Sequence, residues 1–176
     1  MLLKNAILES NTGLDAIKRA PILNYQTNLK CLRIQDISQN KKYELWGNTK
    51  VDDKIKSQYL LKTNDIILAR TGSTIGINTF IKKDMNAVYN NGLICLKVDI
   101  NNYIPYYIYL FLKTKQYKNF IDGISGSSAT QPNLRINDLL MLELPDYNLE
   151  TQQHIVDTIY ILYFLSFFYI PCNHIH

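Results

Sequence analysis

Positive charge is missing from the end of the chain: all 19 Lys and Arg residues lie at or before Arg135. Cysteine is nearly missing too. Cys31, Cys95 and Cys172 are scattered, odd in number and never in a CxxC spacing, which excludes a disulfide framework or a cysteine-based zinc site and points to a reducing compartment. Glycine (7) and proline (5) are few, so the chain is neither collagen-like nor a low-complexity linker. The opening MLLKNAILES has no basic stretch followed by an apolar core, so no signal peptide is read there and a cytoplasmic location is expected. The most apolar run, Ile159–Pro171, has about a dozen residues against the ~20 of a membrane span. It is read as a packing or dimer helix, with no membrane contact expected.

What is present suits one domain. Over 176 residues, 47% are hydrophobic and 19% charged, enough for one well-buried core and too apolar for a disordered chain. The net charge is +4, unevenly spread. Residues 1–146 hold 13 acids against all 19 bases, a formal +6, while the last 30 residues carry only Glu150 and Asp157. A surface at +6 can sit on polyphosphate, although many ordinary proteins reach that value.

The pattern predicts an α+β fold: a single mixed domain over 1–146 with a β-rich core and packed helices, then a C-terminal helix within 147–176. Strands are expected at 5–9 and 30–37, with a glycine-opened loop over 12–20 between them that ends in Lys18–Arg19. A short helix is expected over 51–61, then a turn at 62–65, a buried strand at 66–70, a tight polar loop at 71–76 and a returning strand at 77–82. Residues 87–98 read as a strand broken at Asn90–Asn91–Gly92. A helix opens at Pro105 and is expected to run on through 113–121 and stop at Gly123. Residues 125–135 form a second polar loop, followed by a short helix near 137–140 and a strand at 141–144. Asn148 is the expected N-cap of the last helix.

In this order the pieces LRIQDI (32–37), LKTNDIILARTGSTIG (61–76), VYNNGLICLKV (88–98), YIPYYIYLFL (103–112), GSSATQPNL (126–134) and LPDYNLETQQHIV (144–156) resemble the target recognition domain of type I restriction–modification specificity subunits. The resemblance runs from about residue 5 to residue 158. It implies a non-catalytic, DNA-reading chain without a cofactor. Such a chain directs a modification (methyltransferase) subunit and a restriction (endonuclease) subunit to double-stranded DNA. Full subunits of this kind carry two such domains on long helices. This chain carries one, so it reads as a half-sized version, and a homodimer is one way to restore two. The family's last helix is polar outside, whereas here it continues as IYILYFLSFFYIPCNHIH with no charge after Asp157. That departure suggests a truncated or altered connecting helix.

DNA reading needs cations and amides for phosphates, and forked or planar side chains for base edges. The loop after 66–70 offers Arg70, Thr71, Ser73 and Thr74, with Asn78 just beyond. Arg70 can fork to a guanine or clamp a phosphate, or equally pair with an acid in a structural turn. The second loop offers Ser127, Ser128, Gln131, Asn133 and Arg135, where amides match adenine and hydroxyls match phosphates, or where the same residues make plain turns. Lys18 and Arg19 are phosphate candidates or solvated surface, and Asn91 is a groove-edge candidate or part of a β-bulge. Tyr103, Tyr106, Tyr107 and Tyr109, at helical spacing, read as core, and Trp46 as a satellite core position. No metal site is expected, since His154, His174 and His176 form no ligand set. The loop at 72–76 lacks the Lys-Ser/Thr pair of a phosphate-binding loop, so no catalytic site is expected. Two other readings stay open: a recognition fragment of a fused restriction–methyltransferase, and a degenerate remnant that reads no DNA.

Overall fold

Ile66, Ile67, Leu68 and Ala69 are all buried, and their alternation explains the architecture. Successive strand residues face opposite sides of a sheet, so a strand apolar at every position needs a layer on each side. The computed structural model, which describes residues 1–126 and 133–168, supplies both layers. Ile66 and Leu68 point into a core shared with helices, and Ile67 and Ala69 point into a second core against another sheet.

The first sheet is antiparallel, with order β1-β8-β5-β6: β1 Ile7–Thr12, β5 Ile66–Ala69, β6 Asn78–Phe80 and β8 Leu93–Val98. The second has order β2-β4-β3-β7: β2 Ile22–Leu23, β3 Leu29–Leu32, β4 Gly47–Thr49 and β7 Ala87–Tyr89. There β3 and β7 pair in parallel. Four helices, α3 Pro105–Phe111, α4 Lys115–Gly126, α5 Ile136–Leu139 and α6 Leu149–Phe168, cover the outer face of the first sheet. The other face of the second sheet packs on α2 Asp53–Tyr59 and on the 13–20 loop, through Leu14, Ala20, Cys31 and Val88. The expected α+β class is therefore the observed one. The break at Asn90–Asn91–Gly92 is the point where the chain leaves one sheet for the other.

Three expectations need correction. The strand expected over 30–37 ends at Leu32, and α1 Ile34–Ser38 follows. Asp36 is buried and takes the Arg33 amide (3.0 Å) and the Arg33 guanidinium (2.9 and 3.0 Å), so its carboxylate turns the chain back instead of alternating outward. The helix from Pro105 does not run on to Gly123. It stops at Phe111, Lys113 and Thr114 close 3-10 turns on Leu110 and Phe111, and Thr114 Oγ1 accepts the Tyr117 N–H as the cap of α4, which passes through Gly123. Residues 141–144 form no strand. Leu142 and Leu144 bond to the first three residues, but a 3-10 turn at Leu3–Ala6 leaves a single bridge, Leu2 to Glu143.

The tyrosines fall mainly to packing. Tyr107 is buried, Tyr103 and Tyr109 flank the same core, and the rings of Phe80, Tyr106 and Tyr109 pack edge-on or tilted at 5.1–5.5 Å. Trp46 packs edge-on to Tyr43 and donates to the Lys41 carbonyl. As expected, Asn148 caps α6, its Oδ1 taking the Thr151 N–H at 2.9 Å. Among the described residues, no helix is long and apolar enough to cross a membrane.

Candidate nucleic-acid interface

Four polar segments meet where β5 ends. Arg70 follows the last residue of the strand and donates its N–H to the Gly92 carbonyl (2.9 Å), joining the first loop to the Asn90–Gly92 break. Its own carbonyl accepts the Leu134 N–H (2.7 Å), and Thr71 bridges Asn133, which brings in the far end of the second loop. Asn91 donates its N–H to the Leu14 carbonyl (2.8 Å), and Leu14 donates to the Tyr89 carbonyl. The 13–20 loop thereby joins the same edge. Gly13 allows this approach, because a Cβ there would lie 2.2 Å from the Asn90 carbonyl oxygen.

The Arg70 guanidinium is the chemical centre of this edge. Its Nε and Nη2 both donate to Asn133 Oδ1, at 3.3 and 3.1 Å, on exposed surface. Among the described residues Arg70 makes no salt bridge, unlike Arg33, which is tied to Asp36. A neutral amide orients the guanidinium without cancelling its charge, and leaves N–H groups to address an anion or a purine edge.

The loop after Arg70 is shaped by two glycines with positive φ. Gly72 (φ 78°) opens a 3-10 turn over Gly72–Thr74. Gly76 (φ 82°) turns the chain into β6 so closely that a Cβ would lie 2.9 Å from Ile121. Ser73 is exposed, Thr71 and Thr74 half-buried. Asn78 is different. It is 6% exposed, and its Nδ2 donates to the carbonyls of Gly76 and Leu112, both at 3.0 Å. It therefore braces the loop against α3 and has no surface from which to read a base. Tyr117 helps, its hydroxyl donating to the same Gly76 carbonyl at 2.8 Å, and burial pushes that phenol's pKa up.

Of the other expected residues, Asn91, Asn133 and Arg135 are exposed on or beside the edge, and Arg135 immediately precedes α5. Lys18 and Arg19 are exposed in the 13–20 turn, with Arg19 lying over the Tyr59 ring at 5.4 Å. Ser127, Ser128 and Gln131 lie outside the described residues. Asp15 was not singled out from the sequence, yet it organises the turn. Its Oδ1 accepts the N–H groups of Ile17 (2.9 Å) and Lys18 (2.8 Å), and the Lys18 bond, then the Ile17 bond, hold its carboxyl below the usual range. An aspartate followed by a tight turn is the signal that would have found it. Among the described residues, no three of His, Cys, Asp and Glu are grouped to hold a metal.

Comparison with known proteins bears on the fold and the family. No curated protein matches the chain. The S subunit of a type I restriction-modification system from M. genitalium shares the fold at a TM-score of 0.62 and 16% identity, over 92% of this chain and 37% of that one. The HsdS subunit from Thermoanaerobacter tengcongensis gives 0.65 and 15%, over 92% and 41%. A chain solved to explain complex assembly and conformational transition of the type I R-M system gives 0.65 and 16%, over 92% and 41%. This chain thus spans about two fifths of the length of these structures, the extent of a single recognition domain. Residues 16–164 match the family described as the type I restriction modification DNA specificity domain, and the chain belongs to that family of non-catalytic specificity components.

Proposed function

We propose that this chain reads a specific sequence of double-stranded DNA as a half-sized specificity component of a cytoplasmic type I restriction–modification complex. In that role it directs a modification subunit and a restriction subunit to their site. The observation that carries the reading is the Arg70–Asn133 pair, a charged fork held by a neutral amide where four polar segments meet. Lys18, Arg19 and Arg135 hold phosphates and set the docking register. Arg70, Thr71, Ser73, Thr74, Asn91 and Asn133, with Ser127, Ser128 and Gln131 of the second loop, address the base edges and phosphates of the duplex. Asn78 supports the loop from beneath.

Residues 1–146 act as the recognition unit and 147–176 as the connecting helix. Along α6, Ile161, Leu162 and Leu165 are more than half exposed, an apolar face suited to association. Two copies joined there would present two recognition units, and a palindromic bipartite site is then expected.

Selection of duplexes from a random pool by the 176-residue chain tests the reading. The expected result is one enriched sequence bound more tightly than bulk DNA, with affinity falling as salt rises. Enrichment of nothing, with binding indifferent to salt, would favour a remnant that folds but reads no DNA.

A further inference from the structure

Ile17 is 83% exposed, more than any other large apolar residue whose exposure is described. It stands on a turn built to hold it there. Asp15 Oδ1 accepts the N–H groups of Ile17 and Lys18, and the Asp15 carbonyl accepts those of Arg19 (3.1 Å) and Ala20 (2.8 Å). Both ends of the turn are anchored, since Leu14 and Ala20 are fully buried. Two cations follow directly, Lys18 and Arg19, the latter steadied over Tyr59. Through Leu14 and Asn91 the turn is hydrogen-bonded to the segment that holds Arg70.

An aliphatic side chain at the tip of a braced turn, next to two cations, has the make-up of a wedge. The cations engage phosphates, and the apolar tip leaves water by entering a base step, which unstacks and kinks the duplex. We propose that Ile17 inserts between adjacent base pairs of the bound DNA and reads the ease with which that step opens. Pyrimidine–purine steps open most easily, so the step under Ile17 is TA or CA/TG. This adds to the recognition by Arg70 and its neighbours a position that is selected without hydrogen bonds to bases. It rests on the DNA-reading function proposed above.

The test uses the full chain without partner subunits, so that no other protein unstacks a base. The duplex recovered by selection is labelled with 2-aminopurine at each adenine in turn, and fluorescence is read on binding. One pyrimidine–purine step should brighten with the wild-type chain. Ile17→Leu should keep that signal, and Ile17→Ala should lose it while still binding the duplex. A bound duplex with no brightened position, or a signal unchanged in Ile17→Ala, overturns the wedge and leaves DNA reading intact. Failure of the wild-type chain to bind any duplex overturns both.

Discussion

Asn133 Oδ1 accepts two N–H groups from the guanidinium of Arg70, a residue 63 positions earlier in the chain. The contact fixes the direction of the fork and ties the ends of two loops that also meet through backbone bonds. Asn133→Ala should leave Arg70 charged but free to swing, so discrimination against wrong sequences falls while binding to bulk DNA persists. Asn133→Asp should be worse, because its carboxylate cancels the charge and repels phosphate. Anisotropy titrations on selected and scrambled duplexes separate the two effects, and wild-type discrimination by both variants would remove Asn133 from the account.

Arg70 itself is expected to read a base rather than only a phosphate. Arg70→Ala should then cost ~1–3 kcal/mol on the selected duplex and much less on scrambled DNA. Arg70→Lys should recover little, because an ammonium cannot make a planar fork. Equal losses on both duplexes, with a shallower salt slope, would make Arg70 a phosphate contact.

Much of this was legible in the sequence, for reasons that differ by element. The apolar run at 66–69 and the Asn90–Asn91–Gly92 break announce themselves, because burial on both faces and turn chemistry each leave a local signature. Local signals also misled. Leu32 and Ile34 alternate like a strand, and only the folding back of Asp36 onto Arg33 ends it. Asn78 looked like an exposed loop amide, yet its partners are the carbonyls of Gly76 and Leu112, the second lying 34 residues away. The Arg70–Asn133 pair was beyond reach for the same reason: each residue was a candidate, but nothing in a single chain announces a contact across 63 residues.

The loop after Arg70 depends on its two glycines to different degrees. Gly72→Ala meets open space and should cost about 1 kcal/mol for the positive φ alone. Gly76→Ala carries the same strain and also drives a methyl into Ile121, so it should cost ~2–3 kcal/mol or more. Urea unfolding of both variants tests the ranking, and equal costs would mean that Ile121 yields without penalty.

Gln152 explains how α6 is seated. It is fully buried, its Oε1 takes the Ile104 N–H at 2.8 Å, and its Nε2 donates to the Tyr147 carbonyl at 2.7 Å. Gln152→Ala removes the partner of two part-buried backbone groups and empties a fully buried side-chain position, and should cost about 1–3 kcal/mol. Gln152→Glu keeps the acceptor and loses the donor. Hydrogen exchange at Ile104 should quicken in the first variant and much less in the second. Unchanged exchange in Gln152→Ala would show that α6 is held by apolar packing alone.

Asp84 makes a small contribution to the acid limb of stability, small because its side chain is 61% exposed and solvent screens it. The Thr63 N–H, the Lys62 ammonium and the Thr63 hydroxyl all donate to its carboxylate, lowering its pKa from 3.8 to about 2. A carboxyl depressed on folding stabilises the protein when ionised. The contribution is complete above the unfolded value of 3.8 and is lost as pH falls through about 2. Asp84→Asn should therefore be less stable than wild type at pH 6, and the gap should narrow as pH falls below 3.8 and close only below pH ~2. A gap that stays constant across that window would assign the loss to the hydrogen bonds alone.

The central claim is that this chain sets where a modification enzyme acts. The most direct measurement is to co-express it with the modification subunit of its own system and map methylated adenines across the genome. The account predicts methylation at one defined motif, lost with Arg70→Ala while the complex still forms. A complex that forms but methylates no motif, or whose motif is indifferent to Arg70, would contradict it.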